Sequence, residues 1–122
     1  MVGGGYATNT WGRINGSWYY FGADTYIMTG WIFVGEQWYY LNPEKGDHEG
    51  KMKTGWIFDP GYGKWFYMNP SGAMQSGWQK IGNVWYYLNP VSDGTKGVML
   101  ADQWIGDYYV DANGAWVETM TR

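Results

Sequence analysis

The chain has 122 residues, eight Lys and Arg against 11 Asp and Glu, and no cysteine. That length allows one small domain or a short repeat array, and no disulfide or zinc ribbon can staple it. A net charge of −3 supplies no basic patch for a nucleic acid, and no apolar run is long enough to span a membrane. The composition is inverted relative to an ordinary core: 10 Trp, 12 Tyr and 4 Phe stand against 16 Ile, Leu and Val together.

The opening stretch Met1-Val2-Gly3-Gly4-Gly5-Tyr6 has neither the basic start nor the apolar segment of a secretory signal. Residues 1–9 read as a linker or cut point, and residues 10–122 as one repeat domain. The first repeat runs from Trp11 through Trp18-Tyr19-Tyr20-Phe21 to Met28-Thr29-Gly30. The second runs from Trp31 through Trp38-Tyr39-Tyr40-Leu41-Asn42-Pro43 to Met52-Lys53-Thr54-Gly55. The third runs from Trp56 through Trp65-Phe66-Tyr67-Met68-Asn69-Pro70 to Met74-Gln75-Ser76-Gly77. The fourth starts at Trp78, passes Trp85-Tyr86-Tyr87-Leu88-Asn89-Pro90 and reaches Met99. A degenerate fifth, Trp104 to Trp116, places Asp107 where its siblings hold Trp and reads as a cap.

Each repeat predicts one β-hairpin. Asn15-Gly16 is a strong two-residue turn signal, and Gly35-Glu36, Pro60-Gly61 and Gly82-Asn83 mark the corresponding turns. Asn-Pro then ends three of the strands, because proline cannot keep donating to a ladder. A lone hairpin is marginal in water, but stacked copies bury their aromatic faces on one another. The expected fold is therefore all-β, a solenoid of stacked β-hairpins.

Alternation along a strand sends Trp38 and Tyr40 to one face and Tyr39 and Leu41 to the other. Each junction would gather two indoles from one hairpin, a phenol from the next and a nearby Met. A pocket rich in π faces and poor in hydrogen-bonding groups suits a cation without N–H donors, such as a quaternary trimethylammonium. A primary ammonium would lose water without replacement. The methionines read either as gap fillers or as pocket wall.

The recurring Gly-Trp, the Trp-Tyr-Tyr-Leu-Asn-Pro strand and the Met-x-Thr-Gly tail resemble the choline-binding, cell-wall-binding repeats of Gram-positive surface proteins and of bacterial and phage lysins. The resemblance covers residues ~10 to 118, nearly the whole chain. It implies a left-handed β-solenoid that holds choline or phosphocholine of teichoic and lipoteichoic acids between successive hairpins, at the bacterial cell surface. Its carry-over gives a first site of Trp11, Trp18 and Tyr40 with Met28, and a second of Trp31, Trp38 and Tyr67 with Met52. The third is Trp56, Trp65 and Tyr87 with Met74, and the fourth Trp78, Trp85 and Tyr109 with Met99. It also implies a homodimer through the C-terminal hairpin.

An enzyme is not expected, nor a cofactor or metal. His48 lies between Asp47 and Glu49 in a charged loop, and no nucleophile elbow, phosphate loop or zinc-protease motif occurs. Any catalysis in a longer parent would sit before residue 1. The nearer rival is an array that stacks sugars on aromatic faces, as glucan-binding repeats do. It would need polar groups from Asn42, Asn69, Asn89, Gln79 or Lys80. A purely structural spacer would bury its tryptophans.

Overall fold

A computed structural model describes residues 9–121, and among these there is no helix. Residues 1–8, nearly all of the expected leading linker, lie outside the described residues. The chain forms the expected all-β array of hairpins. Strands β1 (Thr10–Ile14) and β2 (Ser17–Phe21) make the first, and β3 (Gly30–Val34) and β4 (Gln37–Leu41) the second. The third pairs β5 (Gly55–Asp59) with β6 (Lys64–Met68), and the fourth β7 (Gly77–Ile81) with β8 (Val84–Leu88). The degenerate repeat becomes a three-stranded sheet, with β10 (Tyr108–Val110) between β9 (Gln103–Ile105) and β11 (Trp116–Thr121).

Turn chemistry fixes the register. Asn15 and Gly16 take φ of 50° and 81°, Gly35 and Glu36 57° and 65°, and Gly82 and Asn83 58° and 67°. Positive φ at both central residues is what a two-residue turn needs to match the strand twist. The longer third turn is closed by Asp59, whose Oδ1 accepts the Gly61 and Tyr62 N–H groups at 2.7 and 3.4 Å. The glycine of each Gly-Trp pair also has a backbone reason. Gly30, Gly55 and Gly77 open their strands at φ of 77°, 76° and 75°, a left-handed geometry costly to any residue with a Cβ.

The Asn-Pro segments close the loops between hairpins. The Asn42 N–H donates to the Lys51 carbonyl and the Gly50 N–H to the Asn42 carbonyl, each at 2.8 Å. Asn89 repeats this with Val98 and Gly97. The loops then return a short bridge to the end of the hairpin, at Leu41–Met52, Met68–Met74 and Leu88–Met99. Hairpin-terminal Leu41, Met68, Leu88 and Val110 are fully buried.

The described residues divide into two compact units, one reaching to Thr54 and taking in Pro70–Ala73, the other holding Gly55–Asn69 and the residues from Met74 onward. In the first, Tyr20, Ile32 and Leu41 form a core flanked by Trp11, Val34, Tyr39 and Met52. In the second, Ile57, Phe66, Met68, Leu88, Val98 and Val110 are buried.

Candidate functional site

Strand register sets which side chains share a face. Trp31 lies opposite Tyr40 and Phe33 opposite Trp38, while Ile32 lies opposite Tyr39. Directly opposed residues point the same way, so the leading Trp, the second Trp and the second Tyr of a repeat share one face. The first Tyr emerges on the other, as alternation requires.

That second Tyr packs within its own hairpin. Ring centroids lie 5.2 Å apart for Trp11–Tyr20, 4.9 Å for Trp31–Tyr40, 5.1 Å for Trp56–Tyr67, 4.9 Å for Trp78–Tyr87 and 5.3 Å for Trp104–Tyr109. Tyr40, Tyr67, Tyr87 and Tyr109 thus stand against the leading Trp of their own repeat. The phenol that does reach back is the first Tyr. Tyr39 lies 4.8 Å from Trp11, Tyr86 4.9 Å from Trp56, and Tyr108 6.0 Å from Trp78, all edge-on. The reason is geometric: in a stack, one face of a hairpin meets the opposite face of the next. Within each unit, the Trp-pair face of one hairpin therefore meets the first-Tyr face of the next.

Pockets lie where this register brings the rings together. The first is lined by Trp11, Trp18, Tyr39 and Met52, with Pro70 and Ser71 at its edge, and has a volume of about 440 Å³. Another, of about 370 Å³, is lined by Trp56, Trp65, Tyr86 and Met99, with Ala112 and Asn113. The last, of about 300 Å³, is lined by Trp78, Trp85, Tyr108 and Trp116. Each takes two indoles from one repeat and the first Tyr from the next. The second expected grouping draws Trp31 and Trp38 from one unit and Tyr67 from the other; Trp31 and Trp38 lie 6.4 Å apart at 82°.

The methionines shift by one junction as well. Met52 lines the first pocket rather than the second grouping, and Met99 the Trp56–Trp65 pocket rather than the last. Backbone bonds hold them there: the Met52 N–H donates to the Trp18 carbonyl at 2.9 Å, and the Met99 N–H to the Trp65 carbonyl at 2.8 Å. Met74 packs against Gly97 and is not among the residues lining the Trp56–Trp65 pocket. Met28 is not the equivalent residue, because Ile27 makes the bridge to Phe21 that Met52 makes to Leu41.

Each slot residue rests where the next loop's glycine would carry a Cβ: Ile27 on Gly50, Met52 on Gly72, Met74 on Gly97 and Met99 on Gly114. Two residues after each of these glycines comes Met52, Met74, Met99 or Trp116. Trp116 therefore occupies the methionine slot of the degenerate repeat, which explains its place in the last pocket. That recurring Gly-x-Met spacing, ending as Gly-x-Trp, was the sequence signal for it. Its ring lies 5.9 Å from that of Tyr108.

The second indole of every repeat is partly open to solvent, at 41% for Trp18, 38% for Trp38, 44% for Trp65 and 37% for Trp85. A structural spacer would have buried them. Three of the polar groups that sugar binding would need, Asn42, Asn89 and Gln79, are engaged locally. Asn42 donates Nδ2–H to the His48 carbonyl at 3.1 Å, and its Oδ1 accepts the Glu44 N–H at 3.1 Å. Asn89 donates to Thr95 and accepts from Val91, and Gln79 donates to the Ser76 carbonyl at 2.9 Å. His48 is exposed.

Residues 7–48 match the family model described as a choline-binding repeat, and residues 54–74 and 76–90 match that of a cell wall binding repeat. The choline binding domain of Spr1274 of Streptococcus pneumoniae is 35% identical over 75% of this chain and 96% of its own, with a TM-score of 0.60. This chain belongs to the choline-binding repeat family. Choline binding protein F of Streptococcus pneumoniae is 35% identical over 88% of this chain and 40% of its own, with a TM-score of 0.58. The modular autolysin LytC of the same organism is 31% identical over 93% of this chain and 30% of its own, with a TM-score of 0.50. The chain spans about two fifths of the length of choline binding protein F. Comparison with curated protein sequences gave no match. The matched repeats are of choline-binding and cell-wall-binding kinds.

Proposed function

We propose that the module attaches its parent to the bacterial wall by seating the trimethylammonium groups of teichoic and lipoteichoic acid choline in three cages. These are Trp11/Trp18/Tyr39/Met52, Trp56/Trp65/Tyr86/Met99 and Trp78/Trp85/Tyr108/Trp116. The observation that carries the reading is the repetition of one geometry: two indoles of one repeat line a pocket with a phenol of the next, the phenol edge-on to the leading indole and the second indole open to solvent. Each ring face contributes roughly 0.5–2 kcal/mol to a cation. Less the cost of association, one cage holds choline in the millimolar range, about −4 kcal/mol. Several cages on one polyvalent ligand convert that into firm attachment.

Intrinsic tryptophan fluorescence tests the reading, titrated with choline and in parallel with ethanolamine, glucose and NaCl. Saturable change with choline alone supports it. A response to glucose without one to choline would move the module to the sugar-stacking class.

A further inference from the structure

One register position changes character along the array. Directly across the hairpin from the second Trp stand Arg13 (opposite Trp18), Phe33 (Trp38), Phe58 (Trp65) and Lys80 (Trp85). Cross-strand partners share a face, so these side chains flank the cage face of their hairpins. In the two middle repeats the flank is an exposed Phe, with Phe33 and Phe58 at 5.1 and 5.3 Å from the neighbouring indole. In the first and fourth it is a cation. The Arg13 Cζ lies 5.9 Å from the Trp18 ring centroid, and Lys80 is exposed. Among the described residues, neither Arg13 nor Lys80 has an ion-pair partner.

A fixed positive charge beside a cage for a cation is unfavourable when the ligand is choline alone, since like charges repel. It becomes favourable when the choline carries an anion on its other end. In phosphocholine a two-carbon spacer carries the phosphate out of the cage, past the second Trp that the cation faces across the hairpin. Arg suits that role especially, because its planar fork pairs with phosphate oxygens.

Resting on the choline-binding reading, we propose that Arg13 and Lys80 are specificity residues that read the phosphate attached to choline. The cages holding Trp18 and Trp85 then prefer phosphocholine over choline, while the cage holding Trp65, flanked by Phe58, treats the two alike.

Site-resolved NMR tests this on the full chain, following the indole N–H resonances of Trp18, Trp65 and Trp85 during titrations with choline and with phosphocholine. The expected preference for phosphocholine is roughly two- to fivefold at Trp18 and Trp85, the size of a surface charge pair, and it shrinks with added salt. No such preference is expected at Trp65. Arg13→Gln should abolish the preference at Trp18 alone, and Lys80→Gln at Trp85 alone, with choline binding retained in both. Equal ratios at all three indoles, or an Arg13→Gln variant that keeps the Trp18 preference, would overturn the proposal while leaving choline binding intact. Absence of any response to choline would overturn both readings together.

Discussion

Two adjacent tyrosines show how much depends on parity. Tyr39 meets Trp11 of the preceding repeat, whereas Tyr40, only 6% exposed, packs on Trp31 of its own. Their substitutions should separate binding from stability. Tyr39→Leu keeps apolar bulk but removes a ring face, and should weaken choline at the Trp18 cage by about 0.5–2 kcal/mol with little change in melting temperature. Tyr40→Ala should instead destabilise the fold by about 3–5 kcal/mol, as large-to-small changes of buried aromatics do. Thermal melts and choline titrations on both variants check this, and the reverse pattern would contradict the assigned register. The solvent-open Trp18 behaves like Tyr39: Trp18→Ala should silence the first cage and leave the response of Trp65 unchanged.

At the scale of the element, the hairpins were readable because their turn residues and Gly-Trp openings state backbone requirements directly. Asn15-Gly16, Gly35 and Gly82-Asn83 adopt the positive φ values their types favour, and Glu36 follows at 65° because the turn requires it. Alternation also gave the correct division of each strand into two faces. What one strand's sequence does not state is which face of the next hairpin it meets, so alternation alone does not choose between Tyr39 and Tyr40 as the ring beside Trp11, where the structure has Tyr39. The same holds for Met52 and Met99, which line the Trp11–Trp18 and Trp56–Trp65 pockets. Met28 matches Met52 in residue type, but the residue that bridges to the hairpin end is its neighbour Ile27.

The glycine before each slot residue offers a sharper test of these elements. Gly16 and Gly72 have similar φ, 81° and 87°, but a Cβ at Gly16 meets open space while one at Gly72 meets the Met52 side chain. Gly16→Ala should therefore cost only the left-handed strain, about 1–2 kcal/mol. Gly72→Ala should cost more and also perturb choline binding at the first cage, because Met52 must move. Chemical denaturation of the two variants provides the comparison. The loop that ends at Gly97 carries its own pH dependence. The Thr95 hydroxyl and N–H donate to Asp93 at 2.6 and 2.9 Å and hold its carboxyl below the ordinary value of 3.8. A depressed carboxylate stabilises the fold above its unfolded value, and that contribution is lost as pH falls through the folded one. Melting temperature should fall in that acid window, and Asp93→Asn should flatten the fall.

For the molecule as a whole, function lies in repetition more than in any single cage. A quaternary ammonium has no proton to lose, so the ligand itself brings no pH dependence to choline affinity. Attachment to a polyvalent choline surface should exceed monomeric choline affinity by orders of magnitude through effective concentration. It should drop steeply only when two or more cages are removed. The central claim is the pairing of opposite hairpin faces at each cage, and a crystal structure of the chain soaked with choline tests it most directly. The account predicts a trimethylammonium nitrogen bounded by Trp11, Trp18, Tyr39 and Met52, within about 6 Å of the ring centroids. Choline seated against Tyr40, or all three cages empty at saturating choline, would contradict it.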